Sequence, residues 1–200
     1  MVSNKTQTSS LHAGIHKGWY SRGYLPHFDH PGLVQGITFR LHDSLPSHVV
    51  ESLSREFGQA TDAAKRARIE SYLNAGYGAC YLRDPRIGNL VETALLYFDQ
   101  VRYRMIAWVV MPNHVHTLIE IIEGYPLGDI IHSWKSYTAN KANQILGRSG
   151  KFWFSEYFDR YIRNERHFYD AVHYIHENPV QAGLVKRSEE WAFTSARFLE

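Results

Sequence analysis

The sequence predicts an α+β fold in which helices pack on a central antiparallel sheet with the split βαβ, or ferredoxin-like, arrangement of strands. Two apolar runs, 103–110 and 114–122, flank the short segment 111–113, which is the pattern of two strands joined by a turn. A β-branched and aromatic run lies far upstream at 34–41. The resulting order of strand, helices, hairpin, helix, strand and helix is typical of that fold.

One domain over residues 31–200 is expected, preceded by an N-terminal tail over residues 1–30. Two hundred residues suffice for one domain with a substantial hydrophobic core. An apolar content of 44% with 21% charged residues is typical of a globular protein. The tail is predicted because its residues are rich in Ser, Gly, His and Tyr and show no sustained periodicity.

Apolar residues recur at helical spacing between and after the predicted strands. Prolines mark several helix starts. The N–H groups of the first helical turn have no partner within the helix, so a proline, which lacks this N–H, is tolerated there. The dipeptide Asn178-Pro179 is expected to end the last helix, since the residue before a proline avoids the helical conformation. Helices are predicted from Pro46 or Ser47 to Phe57 and over 61–73, 85–101, 126–147 and 165–177, with a fourth strand within 151–163.

Charge and cysteine content limit the possible partners and location. The net charge is only +2, but the span from Lys135 to Arg187 holds nine Lys or Arg against five Asp or Glu. This basic surplus is compatible with a polyanionic partner. Cys80 is the only cysteine, so no intrachain disulfide can form. Because no apolar run approaches the roughly 20 residues that span a bilayer, we expect a cytoplasmic protein without membrane segments.

Two histidines at alternate positions, His114 and His116, begin the third predicted strand. Because residues i and i+2 of a strand face the same side, their imidazoles are expected side by side, as half of a metal site requires. The last predicted helix places Tyr174 and Asn178 four residues apart on one face. Two imidazoles and an amide oxygen would leave open positions on Mg²⁺ or Mn²⁺. A nearby tyrosine could attack a phosphorus polarised by that ion.

Four segments of the chain resemble the HUH single-tyrosine transposases, and among them the REP-associated tyrosine transposases. The resemblance extends from about Gly36 to Ser195 and implies the HUH nuclease type of α+β fold. Relative to the family, the segment between Thr61 and Asp84 is a long insertion. The four segments are 107–116 (Ala-Trp-Val-Val-Met-Pro-Asn-His-Val-His), 134–136 (Trp-Lys-Ser), 157–163 (Tyr-Phe-Asp-Arg-Tyr-Ile-Arg) and 174–185 (Tyr-Ile-His-Glu-Asn-Pro-Val-Gln-Ala-Gly-Leu-Val).

The resemblance implies a role for each candidate residue. His114 and His116 match the metal-binding histidine pair, Tyr174 matches the nucleophile, and Asn178 matches the polar residue that completes the metal site. The family cleaves single-stranded DNA beside a hairpin, forms a 5′-phosphotyrosine link and frees a 3′-hydroxyl that can later rejoin a strand. The resemblance therefore implies hairpin-bearing, REP-like single-stranded DNA as the partner of a monomer or homodimer.

Five basic residues are DNA-binding candidates on charge alone. A base could stack on Trp134, although an apolar helix position favours the core for this side chain. The spacing of three between the two arginines in the predicted fourth strand places them on opposite faces. The five candidates are Lys135, Lys151, Arg160, Arg163 and Arg166.

Two other functions remain open at this point. One is a non-cutting regulator that binds structured DNA or RNA, and the other is a metal hydrolase in which the histidines activate water and Tyr174 is structural. Tyr161 and Tyr169 are rival nucleophiles, but neither has an amide four residues later. Since both imidazoles must be neutral to bind a metal, we expect metal-dependent activity to fall below about pH 6.5.

Overall fold

A computed structural model describes residues 15–21, 26–47, 49, 51 and 62–199. Short 3-10 turns at Tyr81–Arg83, Ser188–Glu190 and Ser195–Phe198 accompany the main elements. The strands and helices, in chain order, are β1 (Gly18–Ser21), β2 (Pro26–Asp29), β3 (Val34–Arg40), α1 (Asp62–Asn74), α2 (Pro85–Leu96), β4 (Tyr103–Val110), β5 (His114–Ile121), α3 (Leu127–Ile145), β6 (Phe158–Tyr161) and α4 (Glu165–Gln181).

A four-stranded antiparallel sheet in the order β4-β5-β3-β6 forms the centre of the fold. This order, with helices in both crossover connections, confirms the predicted α+β class and its ferredoxin-like arrangement. The turn between β4 and β5 is closed by the Met111 N–H, which donates to the His114 carbonyl over 2.8 Å. In the register of β3 and β5, Thr38 lies opposite His116 and Arg40 opposite His114.

Helices cover both faces of the sheet. Because successive side chains of β5 point to opposite faces, alternate residues of this strand contact different helices. Val115 and Ile119 belong to a core cluster that also contains residues of α2 and α3. Leu118, on the opposite face, packs in a cluster with Ile175 of α4. His114 and His116 share the face of Leu118, because side chains two residues apart point to the same side. The two histidines therefore lie under α4 in the interior of the protein.

The second helix is shorter than predicted. It ends at Leu96 instead of continuing to residue 101. The Asp99 carboxylate accepts hydrogen bonds from the N–H groups of Gln100 (2.9 Å) and Met105 (2.7 Å), and Gln100 adopts a φ of 62°. These side-chain bonds offer the backbone an alternative to the helix and turn the chain into β4.

The last helix is longer than predicted, because Pro179 lies inside it and does not end it at residue 177. A proline removes one helical hydrogen bond. The following turn is held by bonds from the Ala182 N–H to the Asn178 carbonyl (3.0 Å) and from the Leu184 N–H to the Pro179 carbonyl (2.9 Å). Asn178 is therefore an interior helical residue, one turn after Tyr174, and its side chain is fully buried.

Two strands lie within the segment that was expected to be a tail. β1 and β2 form a hairpin in which Trp19 pairs with Phe28. The Asp159 carboxylate of β6 accepts from the Phe28 N–H (3.0 Å) and contacts the His27 imidazole. These short strands carry no alternation long enough to be read from sequence. Residues 1–14 and 22–25 lie outside the described residues, and the domain boundary at residue 31 remains a prediction.

The predicted helix that opens at Pro46 or Ser47 falls mostly outside the described residues, of which Ser47, Val49 and Glu51 are helical. Within the described ranges, none of the helices combines the length and apolar character that crossing a membrane requires.

Candidate active site

Glu70, His114 and His116 form a cluster whose ligand atoms all lie within 4.8 Å of one another. The Glu70 Oε1 atom is 3.0 Å from His116 Nε2 and 3.8 Å from His114 Nε2. The two imidazoles lie side by side, with ring centroids 4.7 Å apart. Both histidines are buried, whereas the Glu70 side chain is 23% exposed. The cluster is therefore an interior site that opens on the side of the carboxylate.

Two elements bring these three residues together. β5 supplies both histidines as its first and third residues, and α1 supplies the carboxylate. Ile69 and Leu73 of α1 are buried against Leu45 and Val49, so this helix is fixed by an apolar contact next to Glu70. This packing contributes to stability in proportion to the apolar area buried and keeps the carboxylate near the sheet.

Each histidine is oriented by a hydrogen bond at Nδ1, whereas its Nε2 faces Glu70. The Thr38 hydroxyl lies 2.7 Å from His116 Nδ1, and the Asn113 amide oxygen lies 2.7 Å from His114 Nδ1. The Asn113 NH₂ group donates to the carbonyls of Leu73 (3.2 Å) and Tyr77 (3.0 Å), so the amide oxygen must be the atom that faces the imidazole. His114 consequently donates from Nδ1 and carries a lone pair on Nε2.

Tyr174 and Asn178 of α4 complete the site. The Asn178 NH₂ group donates to Glu70 Oε1 over 3.4 Å. The ring of Tyr174 lies against that of His116, with 5.3 Å between centroids, and its hydroxyl interacts with the Glu70 carboxylate. The structure therefore brings together all four residues that the sequence singled out, together with Glu70, which the sequence analysis did not identify.

The surroundings set the charges of these groups. Burial alone would raise the pKa of Glu70, but contacts with His116 and His114 outweigh it and hold this pKa well below its usual range. Burial, followed by the neighbouring His116, lowers the pKa of His114 to about 3. Burial and the negative charge of Glu70 raise the pKa of Tyr174 well above its usual value. At neutral pH the site thus contains an ionised carboxylate, a neutral His114 and a protonated phenol.

The donor set fits a divalent metal ion. His114 Nε2 and Asn178 Oδ1 are both buried, and neither has a hydrogen-bond partner among the described residues. A buried acceptor without a partner is destabilising, and a bound cation would satisfy both atoms. Imidazole nitrogen together with carboxylate and amide oxygen suits a borderline ion such as Mn²⁺ better than Mg²⁺, which prefers oxygen ligands alone.

The basic candidates differ in their relation to this site. Arg160 lines a cavity of about 410 Å³ that also contains Tyr174, Glu70 and His116. Lys135 is held elsewhere, because its ammonium group donates to the carbonyls of Phe154 and Ser155 over 2.7 Å each. The cavity walls do not include Lys151, Arg163 or Arg166, all of which are exposed. Trp134 is buried in the core, as its apolar position indicated.

The rival tyrosines lie outside the cluster. Tyr169 is 62% exposed on α4, and Tyr161 of β6 pairs with Gln35 on the sheet face opposite to the histidines. His176, although close to Tyr174 in sequence, bonds through Nε2 to the Ser195 hydroxyl over 2.8 Å. Of these three tyrosines, Tyr174 is therefore the one that lies against His116 and lines the same cavity as Glu70.

Residues 82–178 match the family described as Transposase IS200 like. The match covers just under half of the chain, and over this part the chain is similar to the IS200-like transposases. The matched region contains His114, His116, Tyr174 and Asn178, whereas Glu70 precedes it. Four of the five clustered residues therefore lie within the matched region, and the fifth comes from the segment between Thr61 and Asp84, which was expected to be an insertion.

Two curated relatives and one solved structure are similar to this chain. The REP-associated tyrosine transposase of Escherichia coli K12 is 31% identical over 91 residues, which cover 44% of this chain and 52% of the relative. An uncharacterized protein of Haemophilus influenzae is 28% identical over 123 residues, covering 47% of this chain and 65% of that protein. The match thus spans about half of the first relative and just under two thirds of the second.

The solved structure is that of a REP-associated tyrosine transposase bound to a REP hairpin. It is 18% identical, with a TM-score of 0.56, over 86% of this chain and 81% of that chain. At this level of identity the similarity establishes a shared fold. The antiparallel sheet with its packed helices is therefore the architecture of that transposase.

Proposed function

We propose that this protein is a metal-dependent single-strand DNA endonuclease and strand transferase that uses Tyr174 as its nucleophile at hairpin-bearing repeats. The observation that carries the proposal is the position of Tyr174, which lies against His116 of the cluster and lines one cavity with Glu70 and His116. The match of residues 82–178 to the IS200-like transposases and the similarity to a transposase bound to a REP hairpin support the substrate class.

Four side chains of this site would hold the ion. They are the imidazoles of His114 and His116, the carboxylate of Glu70 and the amide oxygen of Asn178. When bound, a divalent ion would polarise the scissile phosphate and favour loss of the phenolic proton. The hydrogen bonds that the two Nδ1 atoms form with Thr38 and Asn113 keep both imidazoles oriented with Nε2 toward the carboxylate, which is the role of outer partners at metal sites.

The chemical step proposed for Tyr174 is a displacement at a phosphorus atom of the DNA backbone. The phenolic oxygen of Tyr174 forms a bond to phosphorus while the bond from phosphorus to the 3′-oxygen breaks. The phenol loses one proton, and the departing 3′-oxygen gains one to become a hydroxyl. The packing of the Tyr174 ring against His116 keeps the phenol beside the cluster. Attack by a second 3′-hydroxyl reverses the step, so the phosphodiester energy is conserved and a nucleoside triphosphate is unnecessary.

The cavity also accounts for substrate placement. Arg160 and His167 line it together with the apolar side chains of Phe158 and Ile162. A guanidinium group can neutralise a backbone phosphate, whereas an aromatic ring can contact an unstacked base. Single-stranded DNA fits these features better than duplex DNA, whose bases are not available for stacking.

The test uses labelled single-stranded hairpin oligonucleotides with varied flanks, incubated with the protein and Mn²⁺. We expect a denaturation-resistant protein–DNA adduct that mass spectrometry assigns to Tyr174 and that chelator abolishes. Tyr174→Phe should form no adduct, whereas the exposed Tyr169→Phe should form as much as the wild type. Cleavage without any adduct would favour the metal hydrolase, and chelator-insensitive binding without cleavage would favour the non-cutting regulator. Light scattering of the same samples distinguishes a monomer from a homodimer.

A further inference from the structure

Three aromatic side chains lie together on the hairpin and the neighbouring strand: Trp19, Phe28 and Tyr161, which we call the aromatic platform. Their ring centroids are 4.8 Å (Trp19–Phe28), 5.4 Å (Phe28–Tyr161) and 6.3 Å (Trp19–Tyr161) apart. Although the rings pack against one another, Trp19 remains 64% exposed. A clustered aromatic surface that is left in water indicates a binding site more than a contribution to the core.

The platform and the candidate active site lie on opposite faces of β6. In the pairing of β3 with β6, Gly36 lies opposite Arg160 and Gln35 opposite Tyr161. Arg160 lines the cavity of Tyr174, and successive side chains of a strand point to opposite faces, so Tyr161 faces away from that cavity. Because β6 is the outer strand of the sheet, a flexible strand that leaves the cavity past Arg160 can reach the platform around this edge.

A cationic side chain accompanies the rings. The Arg163 guanidinium carbon is 5.6 Å from the Tyr161 ring centroid, and Arg163 itself is exposed. Solvent-accessible rings with an adjacent positive charge match the alternation of flat bases and anionic phosphates in a single strand. A purely apolar protein partner would gain nothing from this charge.

We propose that the aromatic platform stacks unpaired bases of the single-stranded DNA that extends from the Tyr174 site. The inference rests on the proposed function for the identity of the polymer, and it adds a second contact region on the opposite face of β6. Stacking on an aromatic ring is tolerant of sequence, because every base has a π-face. The platform therefore holds flanking DNA and does not select the cleavage sequence.

The experiment measures binding without chemistry. Fluorescein-labelled (dT)₁₂ and an abasic strand of equal length and charge are titrated with protein in chelator, with anisotropy as the readout. We expect Trp19→Ala to raise the Kd for (dT)₁₂ about 10-fold, within the range of about 5- to 150-fold that loss of one stacking contact produces. The Kd for the abasic strand should not change, because the phosphate contacts persist.

Two further variants keep the result interpretable. Trp19→Phe retains a ring and should bind (dT)₁₂ within about threefold of the wild type. Tyr97→Ala removes an aromatic side chain that is 72% exposed at the end of α2, and it should bind both strands normally. The thermal midpoint of every variant is measured alongside, and Trp19→Leu, which keeps an apolar side chain but no ring, replaces Trp19→Ala if the alanine variant does not fold.

An unchanged Kd for (dT)₁₂ in Trp19→Ala, or an equal loss on both strands, would overturn the platform. In either case, adduct formation on Tyr174 in the same variant with Mn²⁺ and saturating hairpin DNA shows that the proposed function stands without it. A wild-type protein that binds neither strand and forms no adduct would overturn both. A Kd that rises for (dT)₁₂ alone supports the platform.

Discussion

Glu70 and His116 are joined by a contact of 3.0 Å between Oε1 and Nε2, although 46 residues separate them in the chain. The contact links α1 to the centre of the sheet and places a negative charge beside two imidazoles and a phenol. It accounts for the lowered pKa of Glu70 and contributes to the raised pKa of Tyr174. In the proposed function this carboxylate would therefore be both a metal ligand and a neighbour of the nucleophile.

Replacing this carboxylate should disable metal binding. Glu70→Gln keeps the size of the side chain but removes its negative charge and leaves a neutral amide oxygen, a weaker ligand, in place of the carboxylate. We expect the affinity for Mn²⁺, measured by isothermal titration calorimetry, to fall by more than the roughly 10- to 100-fold that loss of an outer partner costs. The thermal stabilisation by Mn²⁺ should disappear as well, whereas at 100 times its Kd the ion stabilises the wild type by about 2.7 kcal/mol.

The matched control is Glu123→Gln, which removes an exposed carboxylate after β5. It should bind Mn²⁺ as tightly as the wild type and show the same thermal shift. Wild-type affinity in Glu70→Gln would mean that Glu70 is not a ligand and that the histidines hold the ion with other groups.

The orientation of His114 depends on Asn113, and its loss should affect both stability and metal binding. Asn113→Ala removes the acceptor of the His114 N–H and two bonds that tie β5 to the end of α1. Because these groups are buried, we expect the free energy of unfolding to fall by about 1–3 kcal/mol and the Mn²⁺ affinity by about 10- to 100-fold. Urea unfolding and calorimetry measure the two effects.

Thr38→Val is the companion variant for His116. It keeps the shape of the side chain and removes only the hydroxyl beside Nδ1. The unfolding free energy should fall by about 1 kcal/mol, less than in Asn113→Ala, while Mn²⁺ affinity still decreases. A loss of stability without any change in metal affinity in both variants would show that these bonds are structural and do not orient ligands.

The parts of the site that were predicted from sequence share a local origin. His114 and His116 are placed together by the two-residue repeat of a strand, and Tyr174 and Asn178 by the four-residue spacing of a helix. Both relations hold within one element, so they can be recognised without knowledge of the fold. The confirmed hairpin of β4 and β5 is local in the same sense.

Glu70 could not be predicted in this way, because its role depends on how α1 docks on the sheet. The only local signal is its position beside Ile69 on a helix that buries Ile69 and Leu73 within the part whose side chains are described. The continuation of α4 through Pro179 could not be predicted for a related reason. Local backbone rules favour a helix end before the proline, whereas in the folded protein the buried packing at Asn178 and Pro179 outweighs one lost hydrogen bond.

Tyr174→Phe should separate metal binding from strand transfer. The phenylalanine ring retains the contact with His116, whereas the hydroxyl that interacts with Glu70 is lost. We expect Mn²⁺ and hairpin DNA to bind within about threefold of the wild type, since neither the ligands nor the phosphate contacts change. Adduct formation and strand transfer should be undetectable in a denaturing gel. Covalent product from this variant would identify another nucleophile, with Tyr161 the next to test.

The metal-free protein should lose stability as the pH falls below about 6.5, with His114 as one cause. In the unfolded chain this imidazole takes up a proton near pH 6.5, whereas burial and His116 lower its pKa to about 3 in the folded state. Between these values the unfolded state binds more protons, so acid favours unfolding. At pH 5 the expected contribution is a loss of about 2 kcal/mol relative to pH 7.5.

Urea unfolding in chelator at pH 7.5, 6 and 5 measures this dependence, and His114→Gln provides the comparison. The variant has no imidazole at this position, so its free energy of unfolding should change less over the same range, by about the 2 kcal/mol assigned to His114. Equal pH dependence in both proteins would mean that His114 is not held neutral. The pKa of Glu70 is lowered in the folded state, so its contribution is present at higher pH and is lost as the pH falls below the value of about 4.5 in the unfolded chain. That loss begins mostly below the measured range, which is why His114 dominates the difference above pH 5.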